Sequence, residues 1–213
     1  MDEQIENWQH LMRELSNLVG KNEESLWNTE ADLKKLIATK MFLEICDQND
    51  GNLISIDILD CSKVSDNPRW KFIHSSDDNF EVINQHLNKN IDVLLIDSLH
   101  EPNHIRNVFY NYFKYLKING LIFIDDVVWL PYVKGEYRDS EFVENINRRT
   151  FDKILEIYNS NKENMKLDIN FNGSGLAIIK KIKDLLNDEK KIKNRSLSLK
   201  NIIKKIYSPK PKN

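Results

Sequence analysis

The chain has 213 residues, of which 40% are hydrophobic and 30% charged, and this composition predicts a globular protein with one full core. No apolar run reaches 18 residues, the N-terminus is polar and there are two cysteines, so we expect no membrane span, no signal peptide and no disulfide scaffold, in a reducing cytoplasm. Lys180–Asn213 holds 12 basic and three acidic residues, and because the formal net charge is −2, residues 1–179 carry about −11, which argues against a nucleic-acid-binding core.

The first 90 residues alternate between helical and strand patterns. Apolar residues at helical spacing predict helices over 2–19, 31–46 and 80–87, and short apolar runs predict strands over 52–57 and 70–74. Residues 25–29 fit either a short strand or a helix cap. The strand over 52–57 ends on Asp57, which is placed either to accept the hydroxyls of a ribose or simply to start a turn.

A strand, a helix and a second strand follow between residues 91 and 125. The apolar runs 91–96 and 121–124 predict two buried strands, and the helix between them is expected to end at Asn119-Gly120. Asp97 follows the first strand, and Asp125 and Asp126 follow the second. Because such a unit is nearly always right-handed and parallel, these acids are expected at the ligand-binding edge of the sheet.

The remainder predicts a loop, a helix, a hairpin and a basic tail. Residues 127–139 form a candidate lid, and residues 141–161 predict a helix that buries Phe142, Ile154 and Ile157. Strands over 166–171 and 175–180 flank Asn-Gly-Ser, a hairpin signal. We therefore predict an α/β, Rossmann-like three-layer sandwich whose mostly parallel sheet ends in an antiparallel C-terminal hairpin. Its domains are an N-terminal helix (1–22), the main domain (23–182) and a partly helical or disordered tail (183–213).

The central motif resembles the class I S-adenosylmethionine-dependent methyltransferases. It is similar to the small metal-dependent O-methyltransferases and the cephalosporin-hydroxylase-like branch, which show a strand, Asp-x-x-His, a helix, Leu-Lys-x-x-Gly, a strand and an acid pair. Here these positions are Asp97, His100, residues 116–120, Asp125 and Asp126. The resemblance implies a methyltransferase that binds S-adenosylmethionine.

The same resemblance implies which side chains bind the cofactor. Glu30 and Thr39 belong to the family's first motif, and Asp57 is expected to hold the ribose. The other implied cofactor residues are Ser76, Asp77 and Asp78 in a loop, and Asp97 at the end of a strand. The first motif departs from the family pattern, because Asp32 and Leu36 stand where the family has glycines that let the backbone approach the cofactor.

Three carboxylates at one sheet edge predict a cation between them. Asp97, Asp125 and Asp126 offer only oxygen ligands, which suit Mg²⁺, or else Mn²⁺ or Ca²⁺. Such a metal would lower the pKa of an acceptor hydroxyl, and His100 or Lys134 could take its proton. The alternative is that the acids are cap and turn residues and that His100 is a hydrogen-bonded loop residue.

The sequence is compatible with three functions. The first is metal-assisted O-methylation of a small hydroxylated acceptor such as a sugar. The second is an inactive methyltransferase fold that serves as a binding or assembly module, and the third is another Rossmann-like enzyme, which the absence of Gly-x-Gly-x-x-Gly after any strand disfavours. We expect no nucleic acid partner. The N-terminal helix and the lid are candidate homodimer surfaces, and the tail is a candidate for weak membrane contact or a solvated extension.

Overall fold

The structure is a computed structural model that describes residues 30–87, 91–130, 140–193 and 198–207. The predicted helix over 2–19, the segment 25–29, and residues 131–139 of the lid with Lys134 lie outside the described residues. The chain divides into two compact units, residues 1–75 and residues 76–213.

The described part of the first unit, residues 30–75, pairs one helix with two parallel strands. Helix α1 (Glu30–Asn49), strand β1 (Leu53–Asp57) and strand β2 (Trp70–His74) confirm the predicted elements, with Leu53 opposite Trp70 and Asp57 opposite His74. Arg69, directly before β2, is bonded to the turn between α1 and β1. Its guanidinium donates to Asp50 Oδ1 at 2.6 Å and to the Gly51 carbonyl at 3.1 Å.

The second unit contains the remaining elements that the structure describes. In chain order these are α2 (Phe80–Ile83), β3 (Ile91–Ile96), α3 (Pro102–Phe113), β4 (Leu116–Asp125), α4 (Glu141–Ser160), β5 (Met165–Asn170), β6 (Leu176–Lys181) and α5 (Leu199–Tyr207). The strand order is β3-β4-β6-β5, in which β3 and β4 are parallel and β6 is antiparallel to both neighbours. This is an α/β fold with the predicted antiparallel C-terminal hairpin.

The predicted end of the central helix was wrong. Helix α3 ends at Phe113, and residues 116–120 belong to β4, where Leu116 pairs with Ile91. Leu116 is buried in the core, and a bulge follows in which Asn119 has a φ of 68°. Pairing with β3 therefore overrides the helical spacing of this segment.

The core of the second unit lies between its sheet and its helices. Ile105, Val108, Phe109 and Phe113 of α3 are buried, as are strand residues of β4 and β6, Ile122, Ile124, Ala177 and Ile179. Helix α4 confirms its predicted range and buries Ile154 and Ile157, but Phe142 is 72% exposed. Phe142 was wrongly placed in the core because it lies in the first turn of α4, five residues before Asn147, the first buried residue of this helix.

Residues 183–192, the first part of the predicted tail, are hydrogen-bonded to the rest of the second unit. The Asn187 backbone donates to Asn161 Oδ1 at 2.7 Å and accepts from the Tyr110 hydroxyl at 2.8 Å. Arg106 pairs with Glu189. Helix α5 then carries four exposed aliphatic side chains. None of the helices in the described part of the chain is long and apolar enough to cross a membrane.

Candidate active site

The predicted acids of the second unit lie at one edge of its sheet. Strands β3 and β4 are parallel neighbours with Ile96 opposite Ile124, so Asp97 and Asp125 leave the sheet side by side. Asp126 follows with a φ of 54°, in the left-handed region that few residues other than glycine adopt. The chain therefore turns sharply directly after β4, so the carboxylates of Asp125 and Asp126 point in different directions.

His100 lies between two of these acids. Its Nε2 atom is 3.8 Å from Asp97 Oδ1, and its Nδ1 atom is 3.7 Å from Asp126 Oδ2. Nε2 is shielded from solvent and has no hydrogen-bond partner among the described residues. An imidazole flanked by two carboxylates can hold a proton or accept one, as general acid–base chemistry requires.

Helix α4 holds the two loops that carry this cluster. Thr150 Oγ1 donates to the His100 carbonyl at 2.7 Å, and Asn147 Nδ2 donates to the Val128 carbonyl at 3.4 Å. Thr150 and Asn147 are both buried. The sequence reasoning missed them, although their spacing of three residues places two polar side chains on the inner face of a helix, which is a detectable signal.

The β5–β6 hairpin fixes the acid pair from the other side. Ser174 Oγ donates to Asp125 Oδ1 at 3.3 Å, and the Val128 backbone donates to the Ser174 carbonyl at 2.9 Å. Asp125 thus faces the hairpin, whereas Asp126 faces His100.

The described residues do not form a ready-made metal site: across them, no group of three or more His, Cys, Asp or Glu side chains is placed to hold a metal ion. The His100 ring presents one nitrogen to Asp97 and the other to Asp126. The metal role of Asp97, Asp125 and Asp126 stays a prediction, and the chemistry below does not depend on it.

A second polar cluster surrounds Asp77. Ser98 Oγ donates to Asp77 Oδ2 at 2.6 Å, and His104 Nε2 is 3.0 Å from Asp77 Oδ1. The Tyr112 hydroxyl donates to the Asp77 carbonyl, and burial together with the charges of Asp77 and Asp78 raises the pKa of Tyr112. These contacts hold the turn that follows β2 and contains Ser76, Asp77 and Asp78.

The contact between His104 and Asp77 was not predicted from the sequence. His104 lies on α3 at four-residue spacing from Val108, which in turn precedes Tyr112 by four. One face of α3 therefore carries both side chains that contact Asp77. The acid itself comes from 27 positions earlier in the chain, so only the fold reveals the contact.

The predicted cofactor residues of the first unit are placed on its helix and strand. Glu30 and Thr39 lie on the same helix, α1, about 13 Å apart along its axis at 1.5 Å per residue, so they do not form one glycine-type loop. Asp57 ends β1, and its Oδ1 accepts from the Leu59 backbone at 2.8 Å, which is the turn-starting role considered in the sequence. The cofactor roles of Glu30, Thr39 and Asp57 stay predictions.

Residues 37–127 match the family model described as "Methyltransferase domain". These residues, somewhat less than half of the chain, carry a methyltransferase domain. A structure from Staphylococcus aureus, provisionally named a caffeoyl-CoA O-methyltransferase, has the same fold as this chain, with a TM-score of 0.53 at 16% identity over 84% of this chain and 98% of that chain.

Two other solved structures are more distantly similar to the methyltransferase domain. MycE of the mycinamycin biosynthetic pathway, in complex with Mg and SAH, matches with a TM-score of 0.47 at 20% identity over 63% of this chain. Podospora anserina methyltransferase PaMTH1, bound to SAH, matches with a TM-score of 0.48 at 12% identity over 62% of this chain and 61% of that chain. The match covers 37% of the MycE chain. No curated protein matches this sequence.

Proposed function

We propose that the protein transfers a methyl group from S-adenosylmethionine to a hydroxyl oxygen of a small acceptor, such as a sugar. The observation that carries the proposal is the position of His100 between Asp97 and Asp126, at the sheet edge of a chain that contains a methyltransferase domain. The acceptor class follows from this group, because a hydroxyl must lose a proton to be methylated and an imidazole suits that task near neutral pH.

The proposed reaction needs one base and good positioning. S-Adenosylmethionine supplies an electrophilic methyl carbon when bound; the acceptor oxygen forms a bond to that carbon as its bond to sulfur breaks. His100 Nε2 takes the hydroxyl proton, since the fold gives this nitrogen no hydrogen-bond partner among the described residues. Asp126 Oδ2 lies 3.7 Å from Nδ1, and a small approach to hydrogen-bond distance would keep the proton on that nitrogen and leave Nε2 as the base. In-line geometry then supplies much of the rate.

The cofactor residues in the proposal are those predicted from the sequence, with a changed role for Asp77. Asp57 offers carboxylate oxygen to ribose hydroxyls, and Ser76, Asp77 and Asp78 form the turn proposed to receive the adenine. Ser98 and His104 already hold the Asp77 carboxylate, so we assign Asp77 to shaping that turn and the neighbouring Asp78 to contact. Lys134 remains the second proposed base, and a metal at Asp97, Asp125 and Asp126 remains proposed only as an addition.

Calorimetry and a transfer assay test this proposal together. The chain is titrated with S-adenosylmethionine, then incubated with it and a panel of sugars and other small hydroxylated compounds, with products read by mass spectrometry. We expect binding and a mass gain of one methyl group. His100→Gln should lower transfer about a hundredfold or more while cofactor affinity is kept. The matched control is His86→Gln, which should transfer at the unmodified rate.

The metal is tested in the same assay. If Mg²⁺ acts only as a bystander, chelation leaves transfer unchanged and Asp125→Asn is as active as the unmodified chain. A loss of transfer on chelation that added Mg²⁺ restores would instead assign the acids to the metal.

The second candidate is an inactive methyltransferase fold. It is favoured by the continuous helix over Glu30–Asn49, where the family pattern requires a glycine loop. Absence of heat at millimolar S-adenosylmethionine would establish this alternative and overturn the proposed enzyme.

A further inference from the structure

Helix α5 presents an apolar face to solvent. Leu199 is 76% exposed, Ile202 41%, Ile203 47% and Ile206 69%. Ile202, Ile203 and Ile206 follow Leu199 by three, four and seven residues. This spacing places all four aliphatic side chains on one face of the helix. A solvent-exposed stripe of this kind needs a partner, because unpartnered apolar area is unfavourable in water.

The surrounding sequence is strongly basic. From Lys190 to Asn213 there are nine Lys and Arg residues and no Asp or Glu, and three of the lysines, at 200, 204 and 205, are in α5. At helical spacing Lys200 falls outside the aliphatic stripe. A short helix with one aliphatic face in a strongly basic sequence is the pattern of segments that lie in the interface of an anionic membrane.

We propose that α5 docks on anionic lipid bilayers, with Leu199, Ile202, Ile203 and Ile206 inserted among the acyl chains and the lysines at the headgroups. This inference is independent of the proposed methyl transfer. A helix of nine residues is too short to span a bilayer, so it lies in the plane of the interface.

A lipid surface fits this face better than a second copy of the chain does. A stable protein interface buries about 800 Å² on each partner, which is more than four partly exposed aliphatic side chains supply. A bilayer has no such minimum, since each inserted methylene and each lysine near the surface adds to binding. The hydrogen bonds of residues 182–192 to the second unit end six residues before α5, so a docked α5 would hold this unit at the membrane.

The test uses the full chain and sedimentation with lipid vesicles. Vesicles of pure phosphatidylcholine are compared with vesicles in which about a quarter of the lipid is phosphatidylglycerol. We expect the chain to pellet with the anionic vesicles at least about tenfold more strongly than with the neutral ones, and to be released by added salt.

Matched variants separate the two parts of the helix. Ile203→Ser should weaken binding about tenfold, whereas Leu185→Ser, an equivalent change at a 58% exposed site outside α5, should not. Lys200→Gln with Lys205→Gln should cost about fivefold for each lysine, and the control is Lys162→Gln with Lys166→Gln. Circular dichroism verifies that all variants are folded.

Three results would overturn the proposal. The first is the absence of binding to anionic vesicles, and the second is equal binding by Ile203→Ser and Leu185→Ser. The third is light scattering in which Ile203→Ser dissociates a dimer while vesicle binding is unchanged, which would assign the stripe to a second copy.

Discussion

Gly175 offers a sharp test of how the hairpin holds the acid loop. Its φ is +86°, and a Cβ built on it would lie 2.0 Å from Val128 Cγ2 and 2.9 Å from the Val128 backbone nitrogen. Val128 is in turn paired with the hairpin, since its backbone donates to the Ser174 carbonyl at 2.9 Å. Gly175→Ala must therefore displace the segment that directly follows Asp126.

The expected cost has two parts. A side chain in the left-handed region costs about 1–2 kcal/mol, and overpacking against Val128 costs about 1–3 kcal/mol more. The sum is about 2–5 kcal/mol of unfolding free energy, a large fraction of the 5–15 kcal/mol typical of a folded protein. At about 2–4 °C per kcal/mol for a chain of this size, the midpoint of thermal unfolding should fall by roughly 4–20 °C.

Gly173 supplies the matched control in the same turn. Its φ is +61°, but the structure describes no atom within 4 Å of the position of an added Cβ. Gly173→Ala should therefore show only the backbone part, about 1–2 kcal/mol. Thermal and urea unfolding followed by circular dichroism measure both variants. Equal midpoints for the two would refute the assignment of the contact between Gly175 and Val128 as the source of the extra cost.

Three further outcomes follow from the second unit. Lys181→Met should lower the free energy of unfolding in urea by about 2–4 kcal/mol, because the buried ammonium donates to the Phe113 and Leu116 carbonyls and to Asp184. The control is Lys183→Met at an exposed site, which should change stability by less than about 0.5 kcal/mol. A chain that ends after Lys183 should have a lower urea midpoint than one that ends after residue 193, because residues 184–192 bond to helices α3 and α4; equal midpoints would show that these bonds add nothing. Burial and the nearby Glu189 raise the pKa of Tyr110 from 10.0 to about 12. The contribution of Tyr110 to stability is therefore complete below pH 10 and is lost as the pH rises towards 12. Tyr110→Phe should flatten that part of a stability–pH profile, and an unchanged profile would contradict the assignment.

Local patterns in the sequence were enough for most of the fold. Alternating apolar runs and helical spacing located α1, α4 and strands β1, β2, β3, β5 and β6, because each pattern reports directly which side of a local element is buried. The same logic placed Asp97, Asp125 and Asp126 at strand ends, and the Asn-Gly-Ser turn placed the hairpin. Strand order and pairing partners also followed for β5 and β6, since a short turn forces neighbours to be antiparallel.

Tertiary contacts decided what local patterns could not express. The local pattern places Leu116 in the last turn of a helix, but in the structure it pairs with Ile91 in a strand. The pattern also places Phe142 in the core, but its helix packs only beyond the first turn. His104 contacts Asp77, which lies 27 positions away in the sequence, and His100 lies near Asp126, which is 26 positions away. The sequence by itself determined which residue types stand at the ends of the strands. Only the folded chain decided that an imidazole lies between two of the acids, because that arrangement depends on the parallel register of β3 and β4 and on the buried hydrogen bonds from α4.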